Sequence, residues 1–304
     1  MATPLLAGFE CGHLGWNGHD LLHTTRHLPN DRMADHYAIA KAHRMHRARD
    51  GLPWRHLIGP RLRAAADAGM DVVWDLSHFD PPEDPVGHAR AAATLADAAN
   101  SFWICPVNEP AMYPALCGMP RHEATGLALT MAQVARDHHP DVRILTTDPI
   151  TGIGERQYES TDALVAAGLV DVVGVNYYPH TARTALSKAL IKTARRYGLP
   201  VMIAETSWHD GHREQQRRYP GWNKGDWLRH VLQEVAVAEA KGARIVGLCW
   251  YPVVDCPPWQ HPRSRRRWSH GLIREDLGVD PALASAIHSR REVGQLGFDF
   301  GLSA

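Results

Sequence analysis

The chain has 304 residues, 33 basic and 33 acidic side chains, no formal net charge and 44% hydrophobic residues. That apolar content is too high for a disordered chain, and the charge balance offers no general attraction to phosphate backbones or anionic lipid, so neither nucleic acid nor a membrane is an expected partner. No stretch approaches the roughly 18–20 apolar residues that span a bilayer.

The first residues, MATPLLAGFECGH, lack a basic region and reach Glu10 too early for a signal peptide. Cys11, Cys105, Cys117, Cys249 and Cys256 are odd in number and scattered, which suits reduced thiols. A cytoplasmic location is the expectation.

Short apolar runs rich in β-branched residues recur along the chain with helical stretches between them. The candidate strands are Leu5–Glu10, His46–Asp50, Asp71–Ser77, Phe102–Asn108, Arg143–Asp148, Asp171–Tyr177, Val201–Thr206 and Arg244–Trp250, the second of them the polar HRARD. Several, such as DVVWDL and ARIVGLCWY, are almost continuously apolar, as parallel strands buried on both faces should be. Between them lie segments of helical periodicity, among them GHARAAATLADAAN, HEATGLALTMAQVARDHH, TALSKALIKTARRYG and DWLRHVLQEVAVAEAKG. The second of these ends at His138-His139 before Pro140, and the last at Gly242, a residue suited to a helix C-terminus.

Strict alternation of strand and helix means parallel βαβ units. Eight of them predict a single (β/α)8 TIM barrel with short loops over residues 1–304. A doubly wound sheet is the alternative, but FECGHLGWNG after the first strand lacks its GxGxxG phosphate loop.

Barrel chemistry sits at the C-terminal ends of the strands. Those ends carry Glu10 and Cys11, Arg49, His78, Asn108 and Glu109, Asp148, Asn176 and Tyr178, Glu205, and the segment from Trp250 to Asp255. Glu109 ends strand four in PVNEP and Glu205 ends strand seven in IAETSW. Strands four and seven face each other across a barrel mouth. Paired carboxyl groups there are what glycosidic-bond cleavage needs: one neutral to protonate the leaving oxygen, one anionic to attack the anomeric carbon. Singly, a glutamate is more often a solvated loop residue. The placement of both on apolar strands is what favours chemistry.

At this point the chain resembles glycoside hydrolase clan A, and within it the family 1 β-glycosidases (β-glucosidase and β-galactosidase-like), as a short, divergent relative. PVNEP is similar to the family's NEP motif, which implies Glu109 as acid/base and Asn108 as a ligand of the sugar 2-hydroxyl. AETSW stands in the place of the nucleophile motif, implying Glu205 as nucleophile. HFDPP resembles the family's HWDLP, placing His78 in the glycone subsite, and RDGLPW keeps its Arg-to-Trp spacing, placing Arg49 beside the nucleophile. NYY at 176–178 matches a motif after strand six. Strand alternation puts Asn176 and Tyr178 on one face, with Tyr178 a donor to Glu205. The resemblance further implies Trp250 as a sugar platform, with Asp255 and Trp259 at the spacing of the family's Asp and Trp.

The departures are equally specific. Glu205 is followed by Thr-Ser-Trp rather than Asn-Gly, Pro258 replaces a sugar-gripping Glu, and the first strand lacks the family's Gln motif, with Glu10 near that place.

Twenty histidines invite a test for metal ligands, but there is no HExxH or CxxC, and His209-Asp-Gly-His212 has no partner in phase. Neither a metal nor an organic cofactor is expected. Ten tryptophans supply candidate stacking faces, with Trp16, Trp54 and Trp208 besides those above, whereas Trp74 reads as core. The run HPRSRRRW at 261–268 is a solvated charge run by default and an anion clamp on a sharper reading.

The expected activity is retaining hydrolysis of a small β-linked carbohydrate by a two-glutamate double displacement. The alternatives are a carbohydrate-binding barrel of weak turnover, a transglycosylating one, and a metal-dependent barrel hydrolase. Glycone, aglycone and oligomeric state are not legible.

Overall fold

The computed structural model describes residues 3–14, 19–96, 102–151, 154–258 and 267–290. Eight parallel strands close into a barrel in sequence order: β1 (Leu5–Gly8), β2 (Arg47–Gly51), β3 (Asp71–Asp75), β4 (Trp103–Cys105), β5 (Arg143–Pro149), β6 (Val172–Asn176), β7 (Val201–Thr206) and β8 (Ile245–Trp250), with β8 pairing back onto β1. Each expected strand is present, several shortened at the end that turns into a catalytic-face loop. β4 stops at Cys105 because the chain bends away so that the Asn108 amide can bond Ser77 O at 2.8 Å.

Among the described residues a helix of eight or more residues follows every strand: Met33–Ala42, Ile58–Asp67, Pro85–Ala96, Arg121–His138, Glu159–Ala166, Leu186–Tyr197, Lys224–Glu239 and Pro281–His288. The helix ends follow their sequence signals. Asn223 and Asp226 form a capping box before Lys224, and Gly242 takes φ +87° just past the end of that helix. No helix among the described residues is long and apolar enough to cross a membrane.

Strand alternation divides the core into two layers. Leu6, Val73, Trp103, Leu145, Val172, Met202 and Val246 fill the barrel interior. Leu5, Ala7, Trp74, Ile104, Ile144, Val175, Ile203 and Leu248 face outward into a larger cluster shared with the helices. The interior plug is apolar at the strands' N-terminal end and polar above, where Arg49, Asp75, Asn176 and Glu205 stand. One irregularity shapes that upper layer. The pairing of β6 with β7 shifts between Val175↔Ile203 and Asn176↔Glu205, so that one extra residue of β7 is accommodated beside the site. Such bulges re-aim a side chain that strict alternation would send elsewhere.

Candidate active site

The upper layer is organised by Arg49 on β2, which is buried and uses every N–H of its guanidinium. Nε and Nη2 grip Asp75 at 2.9 and 2.8 Å, Nη2 also reaches Asn108 Oδ1 at 2.7 Å, and Nη1 donates to Ala204 O at 3.1 Å and Glu205 Oε1 at 2.7 Å. The planar fork fixes three strand ends relative to one another in a way a lysine could not. Tyr178 donates to the other oxygen, Glu205 Oε2, at 2.8 Å. Burial and the Glu205 charge push the Tyr178 phenol far above its ordinary range, so it acts as a donor.

Glu109 follows β4 on a backbone of φ 44°, ψ 61° and precedes Pro110, which opens a short 3-10 turn. A left-handed non-glycine residue costs about 1–2 kcal/mol, and here it turns the carboxyl toward Asn176, whose Nδ2 donates to Glu109 Oε1 at 2.9 Å. The Glu109 amide is held by Thr147 Oγ1 at 3.2 Å. Burial, reinforced by the nearby Glu205 charge, pushes the Glu109 carboxyl up to about 8 despite the Asn176 hydrogen bond. The two glutamates thus have opposite surroundings. Glu205 lies between a cation and a hydroxyl donor, whereas Glu109 meets an amide and a neighbouring negative charge.

Around them His78 sits between Asp75 Oδ2, 3.0 Å from its Nδ1, and Asn108 Nδ2, 2.9 Å from its Nε2. Asn108 Oδ1 already accepts from Arg49 and from Asn176 Nδ2 at 3.2 Å, which orients the amide to donate to His78 and makes His78 Nδ1–H the donor to Asp75. Burial opposes ionisation of Asp75, but the charge of Arg49 and the hydrogen bonds from His78 and Arg49 prevail and hold the carboxyl below its usual range.

The structure therefore brings Arg49, His78, Asn108, Glu109, Asn176, Tyr178 and Glu205 into one connected cluster. It does not bring Trp250 there. Trp250 is 0% exposed, belongs to the outward cluster beneath the helices, and donates from Nε1 to His270 O at 2.9 Å. The reason is a register shift: β8 carries an extra residue against β7 between Ile245 and Gly247, so Val246 and Cys249, three apart, both face inward, Trp250 falls on the outer face and the following Tyr251 faces inward. Tyr251 stacks nearly parallel to His78 at 5.7 Å between ring centroids, and its hydroxyl donates to Glu10 Oε1 at 3.0 Å. Gly8 makes room for this ring, since a Cβ there would lie 2.4 Å from Tyr251 Cδ2.

Asp255 likewise lies apart from the cluster. It is buried, accepts from the Gly271 amide at 2.7 Å, and has its carboxyl pushed up by burial. Trp259 and Trp16 lie outside the described residues. Trp208 is packed among Tyr219, Trp222 and Trp227, and Trp54 carries the Arg55 guanidinium over its ring at 4.2 Å. Of the arginine run only Arg267 is described, bonded to Glu275 at 2.9 Å.

Sequence reasoning left out two members of the cluster, Asp75 and Tyr251, and named Glu10 without giving it a role. Glu10 is buried, accepts from the Gly12 amide at 3.0 Å, and lies 4.0 Å from His78 Nε2. Burial, with the repulsion of Glu205, raises its carboxyl above the usual range. Parity along β3 was the available signal for Asp75, two positions after the interior Val73, whereas the register shift on β8 hid Tyr251, since strict alternation from Val246 would turn Trp250 inward instead.

No family model matches the sequence, and no curated protein matches it. Among solved structures, a hyperthermophilic β-glucosidase mutant is similar at TM-score 0.67 and 15% identity, covering 94% of this chain and 99% of that one. A family 1 β-glucosidase from Thermotoga maritima is similar at TM-score 0.69 and 13% identity, covering 94% and 97%. A β-glycosidase from Pyrococcus horikoshii is similar at TM-score 0.64 and 14% identity, covering 87% and 84%. A T. maritima β-glucosidase holding glucoimidazole gives a TM-score of 0.70 at 13% identity, covering 94% and 97%. At these identities the likeness is one of fold.

Proposed function

We propose that the chain, taken as one catalytic barrel, is a retaining β-glycoside hydrolase and a short relative of the family 1 β-glycosidases. The observation that carries this reading is the opposed pair: Glu109, whose carboxyl stays protonated up to about 8, and Glu205, fixed by Arg49 and Tyr178. The β-glycosidases among its structural neighbours agree in kind, and the glucoimidazole complex of one of them supports a carbohydrate as the ligand class.

In the first step a Glu205 carboxylate oxygen attacks the anomeric carbon while Glu109 gives its proton to the departing oxygen. The glycosidic C–O bond breaks as the glycosyl–Glu205 ester forms. Glu109, now anionic, then takes a proton from water, whose oxygen attacks the same carbon and releases Glu205. Arg49 and Tyr178 hold the attacking carboxylate in one orientation, so that little reorganisation is needed at the transition state. Asn108, with one amide hydrogen beyond its bond to His78, together with His78, Asn176, Glu10 and Tyr251, supplies hydroxyl-binding groups beside the pair. No organic cofactor or metal takes part in these steps, and a cytoplasmic location fits the sequence.

The test is intact mass followed by peptide mapping after incubation with 2-deoxy-2-fluoro β-glycosyl donors of glucose, galactose, mannose and their uronic and 6-phospho forms. A mass gain on Glu205 is expected. Absence of any label together with tight sugar binding by calorimetry would leave a binding protein instead. If a sugar acceptor outcompetes water for the trapped intermediate, the same chemistry serves transglycosylation.

A further inference from the structure

A second cluster lies in the loops that follow β1 and β2. The chain after β1 forms a two-residue ladder, His13–Leu14 with His19–Asp20, and then the short helix Leu21–Thr25. Asp20 caps that helix through Oδ1, which accepts from the Leu22 and His23 amides at 3.0 and 3.4 Å. The carboxylate is thereby oriented by backbone, and Oδ2 points to two imidazoles. His56 Nε2, from the loop after β2, is 2.5 Å away, and His23 Nε2 is 3.9 Å away.

One histidine satisfies Asp20. The second faces the same oxygen from beyond hydrogen-bond distance, and among the described residues its ring has no other hydrogen-bond partner. The two rings stand 5.3 Å apart, and the three donor atoms all lie within 4.8 Å of one another. Two imidazoles bound to one ion at about 2.0–2.1 Å stand with ring centres about 5 Å apart. His23 therefore needs only a small side-chain adjustment to share a ligand with His56 and Asp20.

We propose that Asp20, His23 and His56 bind one borderline divalent cation of the Zn2+, Ni2+ or Cu2+ kind, cross-linking the first and second catalytic-face loops. Two imidazoles and one carboxylate suit such ions, whereas Mg2+ and Ca2+ favour all-oxygen shells. His23 is 64% exposed while His56 and Asp20 are 16% and 19% exposed, which leaves an entry path and an open position for water.

The buried trio Cys11, Asp75 and His78 also brings three donor atoms together, but Asp75 there is spent on both forks of Arg49, whose charge adjoins any incoming cation. In the rim trio no arginine bonds Asp20 among the described residues: Arg55, beside His56, is paired with Asp80 at 2.8 Å. The ion would tie the loop after β1, the strand before Glu10, to the loop after β2, the strand of Arg49. This inference stands apart from the glycosidase reading.

The experiment is calorimetric titration of the full chain with ZnCl2 at pH 7.5, with the visible absorption of a Co2+ complex as a second readout. One ion per chain is expected, with a thermal midpoint that rises on loading. His23→Ala and His56→Ala should each weaken binding at least about tenfold, while His122→Ala, on an exposed helix residue, leaves it unchanged. His56→Gln keeps a donor for Asp20 without the imidazole, so its loss of binding with an unchanged apo midpoint separates ligation from folding. No stoichiometric uptake, uptake indifferent to both His23 and His56, or uptake lost only in Cys11→Ser would overturn the assignment.

Discussion

Arg49 and Asp50 are neighbours on β2 that face opposite ways, and each is the centre of a buried charge network. Inward, Arg49 holds two carboxylates, Asp75 and Glu205. Outward, Asp50 is held by Arg61 at 2.7 Å, His27 Nε2 at 2.9 Å and Tyr37 at 2.6 Å, with Arg61 also bonded to Gly51 O and His27 O. The outer network is closed, its carboxylate ringed by donors from two helices and a loop. The inner one has one cation for two acids and places the second acid beside Glu109. The outer arrangement docks helices onto β2, whereas the inner one keeps a carboxylate in reserve. Burial and pairing alone do not mark a catalytic site. A surplus of charge over partners does.

Substitutions should separate the two faces most sharply. Glu205→Gln removes the attacking oxygen's charge and takes turnover of any accepted glycoside to background, and Glu109→Gln costs roughly 10²- to 10⁴-fold in kcat, both with thermal stability close to the parent. Asp50→Ala does the opposite. Removing one partner of a buried ion pair costs about 3–5 kcal/mol, measured as a lower denaturant midpoint, while the fraction still folded keeps its kcat. A large kcat loss in folded Asp50→Ala would show that the two faces of β2 are one functional unit.

The faces also separate along pH. Activity should fall as pH rises through about 8, where Glu109 loses the proton it must donate, with the limb seen in kcat/KM. Asp50 behaves in the other direction. Burial disfavours its charge, but Arg61, His27 and Tyr37 overcome this and hold it at about 2, below the unfolded value near 3.9. Its contribution to stability is full above that unfolded value and is lost as pH falls toward 2. Acid unfolding between about 4 and 2 that is blunted in Asp50→Asn would confirm the source. An alkaline limb unchanged by Glu109→Gln would remove Glu109 from the acid role.

The barrel was legible in the sequence because most of its strands are apolar on both faces and its helices periodic, so eight runs in strict alternation allow few other folds. The inner polar layer was legible in part. Asn108 and Glu205 are strongly polar groups at the ends of apolar runs, and such groups stand out, whereas Arg49 lies in the polar HRARD and was found through its spacing to Trp54. Asp75 stands inside the equally apolar DVVWDL, yet its role is defined by Arg49 from another strand, a pairing that no local pattern announces. The shift beside Glu205 was also hidden, because a bulge is a property of two strands together and not of IAETSW. Trp250 was misplaced for a related reason: the resemblance implied a platform there, but the register shift between Ile245 and Gly247 turns its indole to the outer face.

Those two adjacent aromatics give the smallest and most local contrast. Trp250→Phe deletes an indole N–H from a buried bond to His270 O and leaves that carbonyl unpaired, so it should cost about 1–3 kcal/mol of stability with KM unmoved. Tyr251→Phe deletes the donor to Glu10 at the mouth and leaves the ring's stacking on His78 in place. Its expected cost is about 1 kcal/mol, appearing as a roughly fivefold rise in KM with the unfolding midpoint little changed. Measuring KM and thermal midpoint for both variants decides which of them faces the sugar. A KM rise confined to Trp250→Phe would mean that the indole turns into the mouth when substrate binds, and that side-chain facing on β8 is not fixed by the strand.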